Sequence, residues 1–111
     1  MSDRTKACCP PAAASGPVPT AGEDFERELS ALAKAMGHPA RVRILRLLTE
    51  RANCVCGDIV DEVGLAQSTV SQHLAVLKDT GLIRGDVDGP RVCYCLAPEV
   101  LRRFKMLAAA L

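Results

Sequence analysis

Apolar residues recur at helical spacing from Glu23 onward. Phe25, Leu29, Leu32, Ala33 and Met36 fall at i, i+4, i+7, i+8 and i+11, which places them on one face of a helix that Gly37 closes. His38-Pro39 opens a second helix with proline in its first turn, where a missing N–H leaves no hydrogen bond unmade. Val42, Ile44, Leu45, Leu47 and Leu48 make this helix apolar over most of its circumference, so it is expected at the centre of the core. The segment from Asn53 to Cys56 reads as a short strand. A brief helix from Asp58 to Val63 is capped by Gly64, and a longer one from Gln67 to Thr80 turns Val70, Leu74 and Leu77 inward and stops at Gly81. Leu82 to Val87 and Arg91 to Leu96 are strand-like runs joined through Asp88-Gly89, a strong hairpin signal. Pro98 opens a last helix carrying Val100, Leu101, Phe104, Leu107 and Ala108 at helical spacing.

Helix, helix, short strand, helix, helix, hairpin, helix is the order of a winged helix-turn-helix, mainly α with a small β-hairpin. The brief helix, the turn at Gly64 and the helix from Gln67 form the helix-turn-helix itself. Its second helix has Gln67, Ser68, Thr69, Ser71, Gln72 and His73 at the amino end. Small polar side chains there let a backbone approach the major groove, and the helix dipole favours phosphate. Residues 1–20 are rich in Pro, Ala, Ser and Gly without hydrophobic period, and are expected to be a flexible, cysteine-containing arm. Residues 21–111 are then expected to be the DNA-binding domain.

Composition narrows the function classes. At 111 residues the chain holds about one domain, which excludes a multi-domain enzyme. Aromatic residues are 3% of the chain, too few for a platform that stacks single-stranded bases. A net charge of +1 means that any nucleic-acid contact rests on a local surface rather than on the overall field. The longest uncharged run, Ala7 to Gly22, is broken by four prolines and does not suit a membrane span, and no apolar segment of a signal peptide follows Arg4 and Lys6. A cytoplasmic protein without membrane association is expected.

Six cysteines stand in three close pairs: Cys8 with Cys9, Cys54 with Cys56, and Cys93 with Cys95. In a reducing compartment, clustered thiols point to metal binding or redox chemistry. Val55, Val92, Tyr94 and Leu96 alternate with the strand cysteines, so if the apolar set faces the core, Cys54, Cys56, Cys93 and Cys95 face outward. Pairing of the short strand with the second hairpin strand would lay the two Cys-x-Cys segments side by side, with opposed Cβ atoms about 4.5–5.5 Å apart. That cluster suits a metal, a structural zinc included, or is a patch of thiols at a buried edge. Cys8-Cys9 is expected to be an exposed vicinal dithiol, since the sequence around it offers no apolar surroundings to bury it. Neither a Cys-x-x-Cys nor a thioredoxin-like βαβ pattern is present, and the chain is not read as an enzyme.

Lys34 to Leu45 (KAMGHPARVRIL), Cys54-Val55-Cys56, Leu65 to Leu74 (LAQSTVSQHL) and Leu82-Ile83 resemble the signature stretches of the ArsR/SmtB metalloregulators, a likeness spanning about residues 23–108. The resemblance implies a homodimeric bacterial repressor that sits on a palindromic operator and leaves it when an inducer binds. It implies that residues 21–111 are also the dimerisation domain, through the first and last helices, with Phe25, Leu29, Phe104 and Leu107 facing outward. It also implies a wing in which Arg84 and Arg91 grip phosphate, although here Asp86 and Asp88 stand beside them.

Members sensing zinc, nickel or cobalt often use His and carboxylate ligands on the last helix; here that helix has no His or Cys, and only Glu99 as an oxygen ligand. Six cysteines then point to a soft, thiophilic ion, with As(III) or Sb(III) as inducer and no organic cofactor. A soft divalent metal (Cd, Pb, Zn) or thiol redox state is the alternative signal. Some arsenite-sensing relatives close a Cys-Cys pair of the arm on a cysteine near the short strand of the other subunit. By that likeness the metal set is Cys8, Cys9 and Cys54, with Cys56 as substitute, and Cys93 and Cys95 as second choice. Other relatives carry a further cysteine just after Cys-Val-Cys, where this chain has Gly57-Asp58.

Overall fold

The fold is described from a computed structural model for residues 16–51, 54–56, 59–88 and 91–111, excluding the side chains of Cys56, Asp86, Val87, Asp88 and Arg91. Helix α1 (Gly22–Met36) and helix α2 (Pro39–Glu50) are followed by strand β1 (Cys54–Cys56), helix α3 (Ile59–Val63) and helix α4 (Gln67–Asp79). Strands β2 (Ile83–Asp88) and β3 (Arg91–Leu96) precede helix α5 (Pro98–Ala109). The architecture is a mainly helical winged helix-turn-helix with a small antiparallel sheet in the order β1-β3-β2.

Helix α2 is central, as its composition requires: Ile44 and Leu48 are fully buried and Leu45 nearly so, whereas Val42 stays exposed. Its start is built from His38, whose Nδ1 accepts the Ala40 N–H at 3.0 Å and so satisfies one of the helix's orphan donors. The turn before α4 places Gly64 at φ +80°, a left-handed conformation that glycine adopts without Cβ strain. Val70, Leu74 and Leu77 anchor α4 in the core with Leu82, Ile83 and Leu96 of the sheet side.

Three expectations need adjustment. Leu107 does not face outward: it is fully buried in the core, whereas Phe25, Leu29 and Phe104 are half-buried against it. Asp88 belongs to β2 and pairs with Arg91, so it is a strand residue and not part of the connection; Gly89 lies outside the described residues. Residues 16–20 lie against the body, where Val18 packs on the core and Arg103 donates hydrogen bonds to the carbonyls of Gly16 and Pro17. The residues of the arm before Gly16, with Cys8 and Cys9, are outside the described residues, as are Asn53 and Asp58.

Candidate functional site

Helix α4 presents a polar face because its apolar residues are committed to the core. Gln67, Ser68, Ser71 and Gln72 are exposed and Thr69 is half-buried, while Val70, Leu74 and Leu77 on the other side hold the helix in place. The helix in front of it is fixed to α2: the Arg43 guanidinium donates to the Val63 carbonyl at 3.2 Å, and Arg51 pairs with Glu62. The polar row therefore projects from a supported frame, as groove recognition requires.

His73 departs from that row. It is 9% exposed and stacks on His38, with ring centroids 4.4 Å apart and planes tilted by 46°. Burial, then the neighbouring His38 and the Arg41 guanidinium, push its pKa below the ordinary imidazole value. Among the described residues, neither His73 Nδ1 nor the buried Arg41 Nε has a hydrogen-bond partner. The neutral ring is thus part of the wall between α2 and α4, not of the groove-facing surface. Sequence position alone put it in the polar row; its spacing of three and four residues from Val70 and Leu77 carried the opposite signal.

Arg84 also departs from expectation. Its guanidinium pairs with the Glu99 carboxylate at the start of α5, and the two side chains retain 18% and 25% of their accessibility. Instead of reaching outward from the wing, it ties β2 to the last helix. The same contact engages Glu99, the oxygen ligand considered for the last helix. Arg91 lies at the first position of β3, and its side chain is outside the described set.

The sheet brings the cysteines together as the strand pairing predicts. β1 and β3 are antiparallel with Cys54 opposite Cys95, Val55 opposite Tyr94 and Cys56 opposite Cys93. Cys54 and Cys95 are joined by a disulfide, with Cα atoms 4.0 Å apart, and Cys93 is disulfide-bonded too. The face is the expected one, since Val55, Leu96 and Tyr94 pack on the core from the other side. Exposure is not: Cys93 and Cys95 retain 8% and 3% of their accessibility. The reason is lateral. β3 is the middle strand, so Cys95 is flanked on its own face by Cys54 of β1 and Arg84 of β2, the latter covered in turn by Glu99.

Two further residues were not singled out from sequence. Gly85 lies opposite Tyr94, and a Cβ at Gly85 would stand 3.1 Å from Tyr94 Cε1 and 3.2 Å from Lys78 Nζ. The Tyr94 ring and the Lys78 ammonium therefore both border the space above Gly85. An isolated glycine inside a strand pattern was the available signal.

No helix among the described residues is long and apolar enough to cross a membrane. The family profile described as "Bacterial regulatory protein, arsR family" matches residues 38–84. The HTH-type transcriptional regulator YgaV of Escherichia coli is 38% identical over 74 residues, 67% of this chain and 75% of that protein. The HTH-type transcriptional repressor SmtB of Mycobacterium tuberculosis is 37% identical over 79 residues, 71% of this chain but 58% of that longer protein. Among solved structures, HlyU from Vibrio cholerae superimposes with a TM-score of 0.65 at 29% identity, covering 79% of this chain and 92% of that chain.

Proposed function

The chain belongs to the arsR family of bacterial transcriptional regulators, and from that premise we propose that it is a homodimeric repressor released from a palindromic operator when a thiophilic inducer engages the cysteines of its sheet. Operator contact falls to Gln67, Ser68, Thr69, Ser71 and Gln72, with Arg91 as the wing cation. Dimerisation through α1 and α5 is supported by Phe25, Leu29 and Phe104, which the single chain leaves half-buried, and by Met106, which it leaves 52% exposed.

The observation that carries the thiol assignment is the juxtaposition of Cys54 and Cys95, with Cys93 two residues along β3 on the same face. Among the described residues no three ligating side chains stand together as a metal site, so this reading requires the disulfide to be opened; the sulfur donors then match the chemistry of As(III) or Sb(III), which exchange oxygen ligands for thiolates. In their reduced form Cys54, Cys93 and Cys95 would hold such an ion; the arm set of Cys8 and Cys9 with Cys54 or Cys56 is the competing arrangement. Arsenite titration of the reduced protein on operator DNA separates them. Cys54→Ser, Cys93→Ser and Cys95→Ser each keep operator binding and lose release, whereas Cys8→Ser and Cys9→Ser respond normally. If the arm variants lose release and the β3 variants keep it, the sheet assignment fails.

A second reading is favoured by the Cys54–Cys95 disulfide itself. In it the signal is oxidation: two thiols lose two electrons and two protons to a low-molecular-weight disulfide, which leaves as two thiols. Operator release by oxidised glutathione, with no response to arsenite, would select this reading.

A further inference from the structure

We propose that Tyr94, seated over Gly85 on the side that Lys78 also borders, is the positioning residue that transmits the chemical state of the sheet cysteines to the recognition helix α4. The inference rests on the reading that these cysteines govern operator release, whichever reagent acts on them.

Three observations meet at this residue. Tyr94 lies between Cys93 and Cys95 on β3, and opposite Val55, which lies between Cys54 and Cys56 on β1. Tyr94 and Val55 are thus the two central residues of the paired Cys-x-Cys segments. Making or opening the Cys54–Cys95 bond changes how β3 is held against β1 one residue away, and the ring moves with its backbone. Second, the ring crosses to β2 and fills the space above Gly85, where a Cβ would meet Tyr94 Cε1 at 3.1 Å and Cδ1 at 3.3 Å. These distances are tighter than ordinary van der Waals contact, so the seat exists because residue 85 is glycine. Third, Lys78 Nζ stands 3.2 Å from that same point. Lys78 is in the last turn of α4, whose opposite end carries Gln67, Ser68, Ser71 and Gln72.

A rigid helix carries a displacement of its last turn to its first. Leu77, the neighbour of Lys78, is fully buried, so that turn is packed and does not absorb the movement by fraying. Arg84, paired with Glu99, ties the sheet to α5. The place above Gly85 that Tyr94 and Lys78 both border thus lies between the thiol cluster and the helix that carries the polar row. Such coupling is reciprocal: operator binding shifts the thiol equilibrium by the same factor by which thiol chemistry shifts operator affinity. The coupling factor itself is the quantity that tests the relay.

Operator affinity is measured for the full chain equilibrated with dithiothreitol or with oxidised glutathione, and the ratio of the two dissociation constants is the coupling factor. Lys78→Met and Tyr94→Leu are expected to bring that ratio to within about threefold of one, and the double variant to change it no further, because each removes one side of the same seat above Gly85. Any loss of a phosphate contact by Lys78 lowers both affinities alike and cancels in the ratio. Gly85→Ala, which crowds ring and ammonium without deleting either, is expected to weaken operator binding of the reduced protein toward the oxidised level. Hydrogen exchange over residues 74–80 supplies a readout independent of DNA: wild type differs between the two states, and Lys78→Met does not. If wild type has a ratio well above one and both single variants keep it, the relay is overturned while the thiol reading stands. If wild type itself responds neither to oxidised glutathione nor, when reduced, to arsenite, both fall together. Should Tyr94→Leu fail to fold, Lys78→Met on the surface decides alone.

Discussion

Replacing Arg84 by Ala separates a structural role from a DNA-binding one, because the two make opposite demands on the same side chain. In the structure its guanidinium pairs with Glu99, both mostly withdrawn from water at 18% and 25% accessibility. A hydrogen bond to a charged group contributes about 1.5–3 kcal/mol, and partial exposure screens it, so a loss of about 1–2 kcal/mol is expected. For a domain of roughly one hundred residues, about 4 °C is lost per kcal/mol, giving a fall in Tm of about 4–8 °C. A phosphate contact would instead appear in the salt dependence: each one removed flattens the slope of log K against log salt by about 0.9, or about 3.5-fold in affinity between 50 and 200 mM salt. The assay is a thermal melt at fixed protomer concentration beside operator titrations at four salt concentrations, with Glu99→Gln as companion. The expected result is a lower Tm in both variants and an unchanged salt slope in Arg84→Ala. A slope flattened by about 0.9 with Tm intact would refute the argument and return Arg84 to the DNA.

Three other outcomes follow from the geometry. Gln72→Ala should lose about 1–3 kcal/mol of discrimination between operator and a base-substituted site, read by competition binding, if Gln72 makes a bidentate base contact; equal losses on both duplexes would mean that it touches only the backbone. His73 is held neutral by burial, and its folded pKa lies below the unfolded value near 6.5. The unfolded chain therefore binds the proton more readily, so the stability contribution is complete above that pH and is lost as pH falls from it toward the lowered folded value; melts between pH 7.5 and 5 should lose this increment in His73→Gln. Leu77→Ala, at a fully buried site on the inner face of α4, should cost about 2–5 kcal/mol by a lower denaturant midpoint at unchanged m-value.

Much of this protein is written in local pattern. Spacing of apolar residues determines which face of a helix is buried, and Gly37, Gly64, Gly81, Pro39 and Pro98 mark the ends by their own backbone restrictions. Those properties need no distant partner, and the helices, the sheet and the polar row on α4 were legible for that reason. Strand alternation likewise told which face the cysteines share. It did not tell what lies beside them: Cys93 and Cys95 are buried because their strand is the middle one, with neighbours supplied from residues as far as 41 positions away. Partner choice was equally silent. Arg84 and Glu99 stand 15 residues apart, and nothing in either neighbourhood says that a wing cation will turn to a helix carboxylate rather than to DNA. His73 meets His38, and Lys78 and Tyr94 come to border Gly85, only after helix and sheet have packed. Periodicity reports what a residue faces away from; the side chain that meets it is decided when elements close on one another in three dimensions.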